Sequence, residues 1–494
     1  MTQAPLKQSI ATAARQGAAW VTFGNVACAV MQVAQLAVLA RLLSPADYAA
    51  MAIATAITGF IALTAEFGIS SAIIHYRDID HVQLSTLYWV NVALGAAGGA
   101  CLLAATPLVS EFYRDPKVAT VLHWTAPSLL ITSMGVQFRA LNQRDMRFRI
   151  LAVSDMIAAA IATAIAIAAA LAGLGVLSLA LGLVANATAG TLINAASCWR
   201  THRPGLLFHL RRAGTFLRYG GYLVASQVVN FFVSQADVIA LGRLSPASLG
   251  YYSAAKQMGS RPMALINPIF NRAAFPALSA LQHRAESIGP AYLRGLGLAC
   301  GLTFPVYAFL FFAAQPVVLV LLGEKWQPAV PILRALAIYF VVIASSNPVG
   351  SLLMATGRVR TALYWNLCAA IVVPTVVVAS AASGAVTVAQ ALAATYWALI
   401  VPAWYVLVYR TCGLSFRAYF GALARPLAAA FASGIAARVA SSGIESTTMS
   451  LFVMLTAFCI TYPAASWLVN RSFVVELLAF LPALRSAGNR TAAP

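Results

Sequence analysis

The sequence predicts an all-α, polytopic membrane protein of about fourteen spanning helices in two parallel-repeat lobes around a central cavity. Three observations predict it. The first is composition: of 494 residues, 61% are hydrophobic and 9% charged, and mean hydropathy is +0.81. A soluble domain carries about 25% charged residues, and no water-soluble fold covers this much apolar surface with so few polar side chains. The second is the alternation of basic and charge-poor loops along the chain. The third is an internal repeat.

Apolar stretches bounded by Pro, Gly or charge mark fourteen segments. They fall at 17–43, 46–75, 82–110, 117–140, 150–173, 176–199, 219–243, 247–282, 293–322, 329–355, 361–383, 386–409, 418–437 and 448–470. Each is long enough to cross a hydrocarbon core, which takes about 20 residues of helix. The polar start MTQAPLKQSIATAARQG precedes a long apolar run with no A-x-A cleavage site, so the first segment reads as a retained helix, not a removed signal peptide. The eighth segment holds Pro262, Pro268 and Pro276 and is expected to be kinked or broken.

With the N-terminus in the cytoplasm, 22 of the 32 basic residues fall in inside loops, among them Arg139, Arg144, Arg147, Arg149, Arg200 and Arg203. Six fall outside (Arg41, Arg114, Lys117, Arg243, Lys325 and Arg438), and four lie at membrane depth: Lys256, Arg261, Arg272 and Arg334. One miscounted helix would reverse every later loop and spoil this asymmetry. Both termini are therefore expected in the cytoplasm, and the net charge of +19 reads as a topology signal, with no nucleic-acid partner. The seven Cys are scattered singly, as small packing residues.

The repeat is carried by two turns. R-L-L-S-P-A-D-Y-A runs from Arg41 to Ala49 after the first segment, and R-L-S-P-A-S-L-G-Y runs from Arg243 to Tyr251 after the seventh. Each opens the next helix with Ser as cap and Pro in the first turn. A lag of six segments is even, so both copies face the same side, which makes a parallel repeat about an axis along the membrane normal. The expected division is an N-terminal lobe at 1–205, a C-terminal lobe at 206–410, and two further helices with a cytoplasmic tail at 411–494.

Longer stretches carry a family resemblance. They are A-R-L-L-S-P-A-D-Y at 40–48, F-G-I-S-S-A-I-I-H-Y-R-D-I-D-H-V-Q-L-S-T-L-Y-W-V-N at 67–91, Q-R-D-M-R-F at 143–148, I-N-P-I-F-N-R-A-A-F-P-A-L-S-A-L-Q at 266–282, L-G-E-K-W-Q-P-A-V-P-I-L at 322–333 and A-T-G-R-V-R-T-A-L-Y-W-N at 355–366. In these the chain resembles the polysaccharide transporters of the multidrug/oligosaccharidyl-lipid/polysaccharide exporter superfamily, most of all the colanic-acid and teichuronic-acid exporters. Ala49 stands where many relatives carry Gly, a minor packing change. The resemblance implies a bacterial inner-membrane flippase that moves an undecaprenyl-diphosphate-linked oligosaccharide from the cytoplasmic to the periplasmic leaflet by alternating access. It also implies polysaccharide polymerase and assembly proteins as partners, beside membrane lipid.

A diphosphate crossing hydrocarbon needs inward-facing cations, and a charge at bilayer depth costs about 2.5–3.5 kcal/mol on insertion scales. Lys256, Arg261 and Arg272 on the eighth segment are the residues expected to meet it, against the plainer readings of a helix-packing pair for Lys256 and snorkelling for Arg272. Gln35, Gln227 and Asn230 on the first and seventh segments are expected to meet sugar hydroxyls, and Gln35 matches Asp237 under the repeat. Asp237 and Glu66 are the acidic residues placed to bind a coupling proton or Na⁺; either serves equally as counter-ion to a buried Arg or Lys. The pairs Tyr251-Tyr252 and Tyr88-Trp89 suit sugar stacking but fit an interfacial aromatic belt better. No H-x-x-x-H, C-x-x-C or paired-carboxylate arrangement appears, so no catalytic site, metal or cofactor is expected.

Two other functions fit the same topology. A multidrug efflux antiporter of the superfamily would bind cationic drugs with cavity carboxylates, whereas the residues at depth here are mostly basic. A membrane polysaccharide polymerase would carry a large extramembrane catalytic loop, and no loop here exceeds about twenty residues. A peptidoglycan-precursor flippase shares the topology, and the family stretches argue against it. The helix count makes a direct prediction: reporter fusions after residues 206 and 490 will report cytoplasm and one after residue 325 periplasm. A periplasmic signal at residue 490 would overturn the count.

Overall fold

Hydrocarbon offers no partner to a peptide N–H or C=O, so a spanning segment has to satisfy its own backbone, and the helix does this within one segment. The computed structural model describes the backbone of residues 4–66, 68–75, 79–205, 209–280, 285–471 and 473–475. Side chains are described outside 4–19, 75, 210–223, 225–226, 268–280, 285–287 and 359. Among the described residues the secondary structure is helical throughout, with no strand.

The first half runs α1 (Ala4–Leu42), α2 (Pro45–Glu66), α3 (Ile69–His75), α4 (His81–Tyr113), α5 (Pro116–Arg144), α6 (Phe148–Leu171), α7 (Leu177–Cys198) and α8 (Leu210–Leu244). Then come α9 (Pro246–Ala280), α10 (Ala285–Phe312), α11 (Ala314–Leu321), α12 (Ala329–Ala355), α13 (Val359–Ala381) and α14 (Ala385–Ala403). A π-helical stretch, Trp404–Tyr409, follows and passes into the short α15 (Arg410–Cys412). The chain ends in α16 (Phe416–Ala440) and α17 (Thr447–Val469). Among the described residues, 11 helices are long and apolar enough to cross a membrane. α5, α8 and α9 are outside that set; the last two hold the polar and cationic residues singled out above.

Three expected segments differ in detail. The second divides at Glu66, and Gly68 takes a left-handed φ of 64° before α3 begins. The ninth divides at Ala313 into α10 and α11. The eighth, expected to be kinked or broken, runs unbroken from Pro246 to Ala280: each proline removes one backbone donor, and the remaining ladder carries the helix through. Arg272 lies on this helix, but its side chain is outside the described residues, as are Arg485 and Arg490 altogether.

The helix starts follow sequence chemistry. Ser44 caps α2, and the two residues bond reciprocally: the Ser44 hydroxyl accepts from the Asp47 N–H at 3.3 Å, and the Ser44 N–H donates to the Asp47 carboxylate at 3.0 Å. The other carboxylate oxygen takes Lys117 Nζ at 2.7 Å, tying α2 to the start of α5. Asp80 and Gln83 form the same reciprocal box at α4, while Ser415 and Ser446 cap α16 and α17.

The chain divides into two compact units, residues 1–253 and 254–494, with the division inside α9. In the first unit, α4 packs on α5, α5 on α7 and α7 on α6, α1 lies on α6, and α2 packs on α5 and α8. Small residues set the separations: a Cβ on Gly135 would overlap the Thr191 side chain, so α5 and α7 approach closely there. Between these helices lies a buried amide network. Asn142 Nδ2 donates to Asn194 Oδ1 at 3.2 Å and to Ser197 Oγ at 2.8 Å, and Asn194 Nδ2 donates to Ser154 Oγ at 2.8 Å. In the second unit α10 packs on α12 and α16, and α12 on α14. Tyr307 stacks on Phe340 with ring centroids 5.6 Å apart, and Trp326 fills the turn after α11.

Two further contacts matter for the site. The linker between α7 and α8 is fastened to the first turns of α4: the Gly205 N–H donates to Ser85 Oγ at 2.9 Å, Trp89 Nε1 to the Gly205 carbonyl at 2.9 Å, and the His209 N–H to Thr86 Oγ1 at 3.1 Å. The two repeated turns also touch, because Gly250 sits so close to the Pro45 carbonyl that any Cβ would overlap it. Gly250→Ala is therefore expected to cost about 1–3 kcal/mol by overpacking. Thermal unfolding in detergent, followed by tryptophan fluorescence, should show the loss. Gly297→Ala, where a Cβ meets nothing within 4 Å, should hold or raise the midpoint.

Candidate functional site

α8 and α9 meet at Ser245-Pro246, where Ser248 bonds back to Ser245 through both its N–H and its hydroxyl. Near this turn α8 carries a polar face. Gln227, Asn230 and Ser234 follow helical i, i+3, i+7 spacing, and all three are exposed. An exposed polar stripe against hydrocarbon would leave amide groups without water, at a cost of several kcal/mol. Ser234 Oγ donates to the Phe231 carbonyl at 2.9 Å, and exposed amides suit water or a polar ligand better than lipid.

One turn further on, Asp237 is 5% exposed. Its Oδ2 accepts from the hydroxyl of the fully buried Tyr252 at 2.6 Å, and its Oδ1 accepts from the Val238 N–H at 2.8 Å. The carboxyl thus joins α8 to α9 across the turn. Sequence reasoning singled out Asp237 but missed its partner. The signal was available, since the two residues lie at nearly equal distances on either side of Ser245, hence at similar height on the helix pair.

The aromatic pairs correct the belt expectation. Tyr252 is a buried hydrogen-bond donor. Tyr88 is buried against Trp89 and Phe138, at centroid distances of 5.3 and 5.8 Å, while the Trp89 indole holds the α7–α8 linker. Burial of ring and hydroxyl removes both residues from the lipid interface.

The remaining predicted residues lie as follows. Lys256 and Arg261 are half-buried on the part of α9 that belongs to the second unit. Gly259 between them lies against the Phe340 ring, where a Cβ would crowd it, so this part of α9 is seated closely on α12. Gln35 on α1 is half-buried and accepts from Thr163 Oγ1 on α6 at 3.2 Å. Glu66 is partly exposed as the last residue of α2. Asp155 on α6 receives Arg139 in a two-point contact at 2.6 and 3.0 Å with both side chains part-exposed.

The stretches that carry the family resemblance build the tight connections. Ser44–Asp47 is the reciprocal cap. At 143–148 the chain reverses through Met146 at a φ of 55°, held by the Arg147 N–H to the Asn142 carbonyl at 2.8 Å. At 322–333, Gly323 takes a φ of 98° and Trp326 is fully buried. Residues 38–331 match the sequence model of the family described as polysaccharide biosynthesis protein. The chain belongs to this polysaccharide biosynthesis family.

Two characterised proteins are similar to this chain over most of their length. The lipopolysaccharide biosynthesis protein WzxC of Escherichia coli (strain K12) is 26% identical over 412 residues, 83% of this chain and 84% of the relative. The teichuronic acid biosynthesis protein TuaB of Bacillus subtilis (strain 168) is 26% identical over 443 residues, 89% and 92% of the two chains. Among solved structures, the lipid II flippase MurJ in an inward closed conformation superposes with a TM-score of 0.73 over 93% of this chain and 99% of that one, at 12% identity. The likeness shows a shared helical fold.

The Asp237–Tyr252 contact makes a measurable prediction. Tyr252→Phe and Asp237→Asn will each lower the unfolding midpoint. The double variant will lose less than the sum of the two, with a coupling energy of about 0.5–3 kcal/mol. Strict additivity would show that the contact contributes nothing.

Proposed function

We propose that this protein translocates an undecaprenyl-diphosphate-linked oligosaccharide from the cytoplasmic to the periplasmic leaflet of the bacterial inner membrane, for surface polysaccharide biosynthesis. The observation that carries the reading is the pair of unlike polar features on consecutive helices: an exposed amide and hydroxyl stripe on α8 and two half-buried cations on α9. The amides offer donors and acceptors for sugar hydroxyls, and Lys256 and Arg261 offer charge to a diphosphate. Membership of the polysaccharide biosynthesis family and the MurJ-like fold support the same reading.

In this reading the chain spans the bilayer fourteen times with both termini in the cytoplasm. Lobes 1–205 and 206–410 are related by the parallel repeat and alternate access to the cavity, and residues 411–494 add two helices and a tail. Arg272, Gln35, Gln227 and Asn230 complete the ligand-facing set. Polymerase and assembly proteins receive the cargo outside. Export of a dianionic headgroup from a negative-inside cell is driven by the potential, by about 2.3 kcal/mol per charge per 100 mV. A proton or Na⁺ gradient then serves to reset the empty, self-repelling cationic site, through Asp237 with Glu66 as the second carboxylate.

The test has two arms. Reconstituted protein should flip an undecaprenyl-diphosphate-linked oligosaccharide in vesicles, and failure to do so with any such substrate would overturn the reading. In cells, Lys256→Ala and Arg261→Ala should each cut polysaccharide export by roughly tenfold or more, the loss of one charge-assisted hydrogen bond, with the protein still present in the membrane. Arg261→Lys should recover part, because Lys lacks the two-point fork that matches phosphate oxygens. Asp237→Asn should leave cargo binding intact and flatten the dependence of turnover on external pH or Na⁺.

A further inference from the structure

Between Glu324 and Glu445 the chain contains no acidic residue and eight basic ones. Five of these, Arg358, Arg360, Arg410, Arg417 and Arg425, belong to the loops and helix ends that the charge asymmetry assigns to the cytoplasm. All five are exposed, and none forms an ion pair among the described residues. Two are drawn together: Arg358 Nη1 donates to the Arg410 carbonyl, and the Arg410 guanidinium lies over the Tyr405 ring, 5.3 Å from its centroid. Exposed cations gathered on a stretch without a carboxylate suit an anion from outside the chain.

Beside these arginines the second unit has an apolar pocket of about 260 Å³ between α12, α13, α14 and α16. Leu353, Ala362, Val408 and Tyr419, which line it, lie within about a turn or so of Arg358, Arg410 and Arg417. From Leu353 the lining extends up α12 to Val342, roughly 16 Å at 1.5 Å per residue. That is the hydrocarbon depth of one leaflet, about 15 Å. Trp365 and Tyr396 on the walls are part-exposed, so the space is open to its surroundings. Part of the wall is the π-helical stretch Trp404–Tyr409, whose wide turn directs Leu407 and Val408 into the lining. Such turns recur at functional sites.

We propose that this pocket and its arginine rim bind an anionic phospholipid of the cytoplasmic leaflet, with an acyl chain in the pocket and the phosphate on Arg358 and Arg410. A zwitterionic lipid brings no net charge to neutralise the rim, and a free anion leaves the apolar space unfilled, so the site discriminates against both. The site stands apart from the α8–α9 stripe and does not rest on the flippase reading.

Gly350 gives a clean probe. It lines the pocket, and a Cβ there meets nothing within 4 Å, so Gly350→Leu starts from open space and adds bulk to the lining. Full-length protein in detergent is given equal phosphatidylglycerol and phosphatidylethanolamine, and retained lipids are counted by native mass spectrometry. The wild type should keep phosphatidylglycerol preferentially. The Arg358→Gln/Arg410→Gln double variant should lose that preference by roughly thirtyfold, two arginines' worth of headgroup attraction. Gly350→Leu should lose retention of the lipid while keeping its unfolding midpoint. Excess inorganic phosphate should not strip the lipid from the wild type. Unchanged phosphatidylglycerol retention in both variants, or complete displacement by phosphate alone, would overturn the proposal.

Discussion

The bilayer interior supplies neither hydrogen-bond donors nor acceptors, and the position of each polar group in this chain follows from that. Backbone groups are satisfied by helix, and side-chain hydroxyls repeatedly return to the carbonyl one turn back, as Thr58 does to Ala54 and Thr106 to Leu102, each at 2.8 Å. Amides too far from their own backbone have to find one another. Asn142, Asn194, Ser154 and Ser197 do so across α5, α6 and α7, which ties the three helices together. Exposed polar side chains, such as those of the Gln227–Asn230–Ser234 stripe, are informative for the same reason, since amides suit a polar surrounding better than lipid.

The same logic separates carboxylates by role. Asp47 is spent on structure, closing the α2 cap and drawing Lys117 to it. Asp155 is matched by Arg139 where both still reach water. Asp237 is held by the Tyr252 hydroxyl, beside the turn that joins α8 to α9.

Segment positions and helical character were legible because hydropathy and loop charge record them directly. Cap chemistry was legible too, since Ser44-Pro45 and Asp47 stand in helix-start spacing. The divisions at Glu66 and Ala313 were not, because a short interruption inside an apolar run leaves hydropathy unchanged. Prolines 262, 268 and 276 leave the helix unbroken, because a missing donor costs a bond without ending the helix. Of the candidate site, Gln227, Asn230, Lys256 and Arg261 stand out in the sequence as polar letters in apolar runs. Tyr252 was missed because an aromatic near a helix end resembles an interfacial anchor, and only the partner carboxyl distinguishes the two. The α7–α8 linker was missed for a simpler reason: its contacts are to backbone groups, which no side-chain pattern announces.

That linker bears on how the protein is made. Its partners, Ser85, Thr86 and Trp89, belong to α4, which leaves the ribosome long before residue 205 does. When the linker emerges, its docking surface is already in the membrane, and clasping it completes the first six segments before α9 has been translated. Biogenesis is thereby vectorial. The early half gains a closing latch that needs nothing downstream, and an unlatched half would be a recognisable target for quality control while the later, more cationic helices are still being synthesised.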